Sequence, residues 1–307
     1  MNYEVFVDRF KEKVKEYMYP YTVTMEETIL NKVNQQVKGL IVSVDGYPVA
    51  PVFHLEELYK ENQDGHTVAE LAYKASLDAN EVIKHTLELW GEKEDITPDN
   101  LYAAVVNTDK NREMLKQVPH REYKEMSVIP RYRLTNNTSF LVNKDICKQF
   151  YMTQEEVLET AIRNTHEMGY TVKRLDDVLK ENIDGLNMEE NSCAHVVSNI
   201  YRTNGAAAIL DTSWMEHHAE EIGGSFYIIP SSIHELLTIP ENVPISVPDI
   251  QTMVEIVNRT CVDERDFLSN NVYHYNAKTK SVSQLTGKTK EAVASRVAKQ
   301  AVNARNR

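Results

Sequence analysis

The sequence contains little cysteine and no long apolar run. Its 307 residues include three cysteines, Cys147, Cys193 and Cys261, without C-x-x-C spacing. This pattern argues against a disulfide scaffold and against a thiolate zinc site. No stretch approaches the roughly 18 consecutive apolar residues of a membrane span, and the opening MNYEVFVDRFKEKVKEY mixes charged and apolar residues, unlike a signal peptide. We therefore expect a soluble, cytoplasmic protein that is not exported and contacts no membrane.

Several motifs of common enzyme classes are also missing. There is no G-x-x-x-x-G-K-[ST] loop and no G-x-G-x-x-G turn, so the common nucleotide-binding enzymes are disfavoured. H-E-x-x-H and G-x-S-x-G are absent too, which removes the best-known signatures of zinc proteases and of α/β hydrolases. We accordingly expect no cofactor.

Positive charge is scarce except at the C-terminal end. The formal net charge is -12, which repels nucleic-acid phosphates unless a local basic patch overrides it. Residues 286–307 form such a patch, a basic tail with six lysines and arginines against one glutamate. We expect the tail to be helical or disordered. It could keep the protein soluble, dock on an acidic partner or on the acidic body, or contact nucleic acid.

The remaining composition is that of a soluble globular protein, with 42% hydrophobic and 26% charged residues. Strand patterns come mainly as hairpins, such as TVTMEETIL with KGLIVSV, and alternate irregularly with amphipathic helices. We predict an α+β fold with mixed, mainly antiparallel sheets built from hairpins and flanked by helices. Two subdomains are expected, at 1–135 and 136–285, divided by the polar cluster NNTS.

Three local patterns lead to specific predictions. The Thr153 to Glu156 segment, TQEE, is a capping box that should begin a helix ending at Gly169. TPDNLYAAVV, from residue 97, has proline at the first helical position and is interpreted as a helix. Asn204-Gly205 lies between the apolar segments HVVSNIY and AAAIL, which predicts a hairpin.

The segment FYIIPSSIHELLTIP, residues 226–240, concentrates reactive side chains. A serine-dependent hydrolase would use Ser232 or Ser231 as nucleophile. His234 is close in sequence, but residues two apart on a helix point away from each other. The base would then come from elsewhere, and Asp211 would be the orienting acid; the candidate bases are His195, His217 and His218.

A structural interpretation of the same segment competes with the catalytic one. Pro230 would end a strand, and Ser232 with Glu235 would form a reciprocal capping box for a short helix, HELL. We favour this interpretation. It leaves His234 without a local explanation.

A metal site is considered at EHHAEE. His217 and Glu221 are four residues apart and meet on one helical face, as two ligands of a divalent cation would. Two ligands are too few for a metal site. We expect a solvated acidic face with histidines near Trp214, and no metal.

Several blocks of the chain carry a family resemblance, up to about residue 285. They are PVAPVFHLEELY, NTDKNREML with VPHREY, NIYRTNGAAAIL, FYIIPSSIHELLTIP, MVEIVNRT and FLSNNVYHY. With these blocks the chain resembles an uncharacterised family of domains of unknown function, seen mainly in gut clostridia and their mobile elements. The resemblance implies a bacterial cytoplasmic setting and no assigned activity. It also implies that the residues around Asn204-Gly205 and residues 230–235 form one structural centre.

These observations lead to one main hypothesis and two alternatives. We expect a non-catalytic binding or interaction protein with a protein partner, in a mobile-element or defence-related context. Its recognition residues would be Asn204, Gly205, His234 and Glu235. The alternatives are the serine hydrolase centred on Ser232 and a nucleic-acid-associated protein that uses the basic tail.

Overall fold

The computed structural model describes residues 1–45, 50–90, 97–134, 139–182 and 193–285, with the side chains of residues 82 and 85–90 excepted. The basic tail and its predicted state therefore lie outside the described residues. The described chain has an α+β fold with mainly antiparallel sheets, as predicted. It divides into two compact units, Met1–Thr97 and Pro98–Arg307.

The first unit packs three helices with a three-stranded antiparallel sheet. Its elements are α1 (Tyr3–Tyr17), β1 (Val23–Lys32), β2 (Gln35–Val44), β3 (Val52–His54), α2 (Leu55–Gln63) and α3 (Val68–Trp90). Phe6, Phe10 and Val14 recur at helical spacing on α1 and are buried in the core. This face explains why the opening segment is helical.

The second unit contains a four-stranded and a six-stranded sheet. Its helices are α4 (Arg112–Leu115), α5 (Lys144–Cys147), α6 (Gln154–Met168), α7 (Leu175–Asn182), α8 (Thr212–Ile222) and α9 (Val247–Thr260). Its strands are β4 (Leu101–Asn107), β5 (Arg121–Tyr123), β6 (Met126–Arg133), β7 (Ser139–Leu141), β8 (Thr171–Arg174), β9 (His195–Ser198), β10 (Phe226–Ile229), β11 (Leu236–Pro240), β12 (Tyr273–Asn276) and β13 (Ser281–Gln284). The six-stranded sheet has the order β13-β12-β10-β11-β9-β8, and its paired strands are antiparallel.

The boundary expected at residues 135 and 136 falls inside this second unit. Strand β6 precedes that point and β7 follows it, and the two pair with Arg131 opposite Leu141. In β6 the side chains of Met126 to Pro130 are buried.

The predicted capping box of α6 is confirmed. The Thr153 hydroxyl accepts a hydrogen bond from the Glu156 backbone N–H at 3.2 Å, and the Glu156 carboxylate accepts from the Thr153 N–H at 2.7 Å. The helix ends at Gly169, which has a positive φ of 73°. Local sequence alone specifies both ends of this element.

The helix predicted from residue 97 is wrong. Pro98–Asn100 form a single 3-10 turn, and the chain continues as strand β4. Six consecutive side chains of β4, from Leu101 to Val106, are buried. A continuous apolar run is typical of a strand covered on both faces, and this tertiary environment overrides the helix-start signal.

The hairpin predicted at Asn204-Gly205 is also wrong. Asn204 has a left-handed conformation with φ 57°, and Gly205–Leu210 form a buried 3-10 helix. Strand β9 pairs with β8 and β11 instead of with the AAAIL segment. Small alanine side chains let this helix pack closely inside the unit, which the turn signal does not reveal.

The short helix HELL and its capping box are absent, since these residues enter strand β11. Strands β10 and β11 form an antiparallel pair in which Phe226 lies opposite Pro240 and Ile229 opposite Leu237. The other edge of β11 pairs with β9. Because neighbouring strands satisfy the backbone groups of β11, helix formation brings no gain.

Candidate functional site

The Asn204-Gly205 turn and the 231–235 segment lie against each other in the second unit. The backbone N–H of Gly205 donates to the carbonyl oxygen of His234 at 3.0 Å, and that of Ala206 donates to Ile233 at 3.2 Å. The Asn204 N–H donates to Nδ1 of the His234 ring at 3.2 Å. The structure thus brings together three of the expected binding residues.

Glycine is required at position 205 because of a close backbone approach. A Cβ atom there would lie 2.2 Å from Oγ of Ser198, 2.6 Å from the carbonyl oxygen of His234 and 2.7 Å from the backbone nitrogen of Asn199. Two of these three atoms belong to the backbone and cannot rotate away. The Asn-Gly pair therefore marks a packing contact and not a hairpin turn.

Both ring nitrogens of His234 are engaged. Nδ1 accepts from the Asn204 backbone N–H, so the neutral ring carries its proton on Nε2. Nε2 in turn lies 3.2 Å from Oδ1 of Asp266. No lone pair of the ring therefore remains to accept a proton from a serine hydroxyl. The His234 side chain instead links its own segment to Asn204 and to Asp266.

The two serines of the segment lie in a short ladder with residues 266–268. Ser232 forms an isolated antiparallel bridge with Phe267, the Ile233 N–H donates to the Asp266 carbonyl at 2.8 Å, and the Leu268 N–H donates to that of Ser231 at 3.0 Å. The Ser232 hydroxyl accepts from the His234 backbone N–H at 3.0 Å. Ser232 therefore stabilises a turn two residues long, in place of the predicted capping box.

Asp211, the candidate orienting acid, caps helix α8. Its carboxylate accepts hydrogen bonds from the backbone N–H groups of Ser213 at 2.9 Å and of Trp214 at 3.2 Å. The side chain is buried, and these bonds satisfy its charge at a helix N-terminus. This arrangement accounts for Asp211 without a catalytic histidine.

His218 and His195 belong to an aromatic cluster on the six-stranded sheet. His218 is 1% exposed, stacks on Trp214 with ring centroids 5.3 Å apart, and contacts His195 edge to face. Its Nε2 lies 3.0 Å from Oγ1 of Thr238. Burial, with the positive potential of neighbouring His195, lowers the pKa of His218 to about 4. Burial also lowers the pKa of His195.

The weak metal candidates form an exposed pair. Nε2 of His217 lies 3.4 Å from Oε1 of Glu221, and both side chains are largely solvent-exposed. Within the described ranges, no group of three or more histidine, cysteine, aspartate or glutamate side chains has the arrangement to hold a metal ion. The pair has the geometry of a surface contact between residues one helical turn apart.

Glu235, the acidic member of the expected binding residues, has a shifted pKa. Burial raises its pKa; His234 lowers it, and the nearby Asp266 raises it again. The carboxyl lies immediately before β11 and is half-buried. A carboxyl group with a shifted pKa beside the contact of the 204–206 and 231–235 segments is typical of a functional site. Purely structural clusters of charged groups shift pKa values in the same way.

Sequence reasoning missed the partners contributed by distant segments. Asp266, which faces His234, lies 32 positions further along the chain. Glu125, in the turn between β5 and β6, accepts hydrogen bonds from the side chains of Ser269, Asn271 and Tyr273. Nothing in the local sequence distinguishes either carboxylate from the many acidic residues on the surface.

An apolar pocket adjoins the centre on the side of α9. Its volume is about 210 Å³, and the described residues that line it are apolar apart from Cys193 and Ser231. Ile229, the last residue of β10, and Ser231 both line the pocket. The other main lining residues are Leu237, Ile239, Ile250, Met253, Val254 and Val257.

Comparison with known families assigns the chain to a group with no described activity. The model of DUF5688, a family of unknown function, matches residues 3–277. The chain belongs to the DUF5688 family. The matched region contains the 204–206 and 231–235 segments and the apolar pocket. No curated protein and no solved structure matches the sequence.

In this DUF5688 protein, the side chains of His234 and Asp211 are both engaged in other contacts. The two serines face no free imidazole nitrogen at His234, and the Asp211 carboxylate is engaged as a cap. The apolar pocket, in contrast, offers a concave surface beside a rigid backbone centre, as ligand sites do. Across the described residues, no helix combines the length and the apolarity that a membrane span needs.

Proposed function

We propose that this DUF5688 protein is a non-catalytic binding protein that recognises a protein partner through α9 and the apolar pocket beneath it. One observation carries the proposal: the pocket adjoins apolar side chains on the exposed side of the same helix. Met253 is 51% exposed and Ile256 48% exposed, and Val257 both lines the pocket and reaches solvent. Apolar surface next to a concave pocket is typical of protein-interaction sites.

The hydrogen bonds at the structural centre support binding over catalysis. A hydrolase needs a base within about 3 Å of its nucleophile and with a free lone pair. The His234 ring has both nitrogens occupied, by the Asn204 N–H and by Asp266. The centre instead joins segments 233–234 and 205–206 by two backbone hydrogen bonds. A pocket wall that is fixed before binding lowers the entropic cost of binding.

Site-specific crosslinking tests the proposal. A photoreactive phenylalanine analogue replaces Met253 in one variant and Tyr151 in the control variant, since Tyr151 is 92% exposed in the same unit but does not line the pocket. We expect one discrete protein adduct from position 253 and none from position 151. The purified adduct partner should bind the intact protein directly.

The substitution Ile256→Asp provides the specificity control. Because Ile256 is half-exposed, a charge there should leave the fold intact while disrupting an apolar interface. Binding of the purified partner should fall at least tenfold, with an unchanged melting temperature. Equal crosslinking from both positions would overturn the proposal. Labelling of the protein by a fluorophosphonate probe that is lost in Ser232→Ala would do so as well.

A further inference from the structure

We infer that the pocket beneath α9 takes the phenol ring of a tyrosine presented by the partner, with the Ser231 hydroxyl bonded to the phenol hydroxyl. The inference rests on the proposed function, which supplies a protein partner, and it adds the chemistry of the group that enters the pocket. Three properties of the described pocket lining lead to it: the volume that it encloses, its single serine hydroxyl and its lack of charged side chains.

The volume of the pocket fits one substituted aromatic ring. An engineered apolar cavity of about 150 Å³ is large enough to bind benzene. The present pocket of about 210 Å³ leaves room for a ring with one or two additional heavy atoms. A tyrosine side chain, with its methylene and hydroxyl on opposite ends of the ring, has this size and shape.

The Ser231 hydroxyl is the polar group that the ligand must satisfy. Ser231 is 6% exposed and lines the pocket. Among the described residues no group hydrogen-bonds its hydroxyl, whereas the neighbouring Ser232 hydroxyl accepts from the His234 N–H. A ligand that fills the pocket shuts water away from this hydroxyl, and it avoids the cost of that loss when it supplies a hydrogen bond of its own. The ligand therefore carries a hydrogen-bonding group at its inner end.

Charge determines which polar group the ligand carries. Among the described residues that line the pocket there is no lysine, arginine or histidine, and the chain has a net charge of -12. A carboxylate or phosphate would lose its hydration without gaining a counter-charge, which is strongly unfavourable. A neutral hydroxyl, paired with one serine hydroxyl, has no such penalty.

Met253 favours an aromatic body over an aliphatic one. Its side chain lines the pocket and is half-exposed, so the thioether lies where the pocket meets solvent. Methionine sulfur makes favourable contacts with the edges of aromatic rings, and its flexible chain adapts to the ring it meets. A tyrosine ring would fill the apolar interior and contact this sulfur at the same time.

Paired small molecules test the inference without knowledge of the partner. The probes are p-cresol, the side-chain analogue of tyrosine, and toluene, that of phenylalanine; they share one shape and differ by the hydroxyl. Affinities are measured by calorimetry on the full chain and on Ser231→Ala and Ser232→Ala. The ¹³C methyl signal of Met253, assigned with Met253→Leu, reports whether each probe lies in the pocket.

We expect both probes to bind and to shift the Met253 methyl signal. In Ser231→Ala the ratio of p-cresol to toluene affinity should fall about tenfold, through weaker p-cresol binding alone, because one hydrogen bond is lost. Ser232→Ala, the matched control, should leave the ratio unchanged. An unchanged ratio in Ser231→Ala, or no binding of either probe, would overturn the inference.

The result is separable from the crosslinking test. A position-253 adduct without p-cresol binding would mean that the partner uses the helix surface and not a tyrosine, so the inference alone would fail. Specific p-cresol binding without any partner adduct would leave the pocket chemistry standing and overturn the proposed protein partner.

Discussion

The carbonyl oxygen of His234 accepts two hydrogen bonds, from the Gly205 backbone N–H at 3.0 Å and from the Ser198 hydroxyl at 2.7 Å. One backbone oxygen thus joins the end of β9, the start of the 3-10 helix and the segment before β11. The approach leaves no space for a side chain at position 205. The stability of the second unit should therefore depend sharply on this glycine.

Gly205→Ala should be severely destabilising. The added Cβ would lie 2.2 Å from Ser198 Oγ and 2.6 Å from the His234 carbonyl oxygen, so the backbone must move and two hydrogen bonds are strained. We expect a loss of about 3 kcal/mol or more in the free energy of unfolding, measured by urea denaturation. Gly223→Ala is the control: φ is +83° there, but the space is open, so only about 1–2 kcal/mol of backbone strain is expected. Equal losses in the two variants would contradict the steric account.

Ser232→Ala and Ser231→Ala should differ in stability although the residues are adjacent. The Ser232 hydroxyl satisfies the partly buried His234 backbone N–H, and its removal should cost about 1 kcal/mol. Ser231 lacks such a partner among the described residues, so its replacement should change the free energy of unfolding by less than about 0.5 kcal/mol. Thermal unfolding of both variants provides the measurement. A larger loss from Ser231→Ala would show that its hydroxyl is already bonded within the protein.

Asp211→Ala should destabilise helix α8 by about 1 kcal/mol, since two backbone N–H groups lose their acceptor. Asp211→Ser should retain most of this stability, because serine is also a good N-cap residue. An orienting acid would behave differently, since serine cannot carry the negative charge that orients an imidazole. Denaturant midpoints of the two variants separate these roles: similar losses would argue against simple capping.

Local sequence predicted those elements whose ends are set by nearby residues. The Thr153 capping box and the hairpin of TVTMEETIL with KGLIVSV, which forms β1 and β2, both follow from patterns within a few positions. The failures at residues 97–106 and 234–237 share a cause. In both, a local helix signal competes with strand pairing, to β6 in one case and to β9 and β10 in the other, and burial favours the strand.

The sequence predicted only some of the residues of the candidate site. Asn204, Gly205 and His234 were expected at one centre, and they do lie together, but the interpretation of the Asn-Gly pair as a turn was wrong. Asp266 could not be found, because its role depends on a ladder between residues 231–233 and 266–268 that no local pattern indicates. The pocket could not be predicted for the same reason, since its walls come from three separate elements, β10, β11 and α9.

Glu235→Gln should stabilise the protein at neutral pH. Burial raises the pKa of this carboxyl, so the folded state binds its proton more tightly than the unfolded state. Stability from this group is therefore greatest at low pH and falls as pH rises past the unfolded value of 4.5. The neutral, isosteric glutamine removes that loss, and we expect a gain of up to about 1 kcal/mol at pH 7 and none at pH 4. Melting temperatures at both pH values test this, and a loss at pH 7 would mean that the carboxylate makes a favourable contact.

The contribution of His218 to stability should be lost at low pH, whereas that of Glu235 is greatest there. Its pKa is lowered from 6.5 to about 4 by burial and by His195, so the folded state keeps the ring neutral while the unfolded chain takes up a proton below pH 6.5. The stability contributed by the neutral ring is complete above pH 6.5 and is lost progressively as pH falls towards 4. The loss should amount to roughly 1–3 kcal/mol, which is large for a single side chain.

His218→Phe removes this titration while keeping the stack on Trp214. The variant should be less stable at pH 7, since it loses the contact with Thr238, but its free energy of unfolding should vary less between pH 6.5 and 4 than that of the parent protein. His217→Gln serves as the control, because the His217 side chain is largely solvent-exposed beside Glu221. Urea denaturation at several pH values gives both slopes. A parent slope that persists in His218→Phe would assign the acid sensitivity to other groups and leave His218 as a packing residue alone.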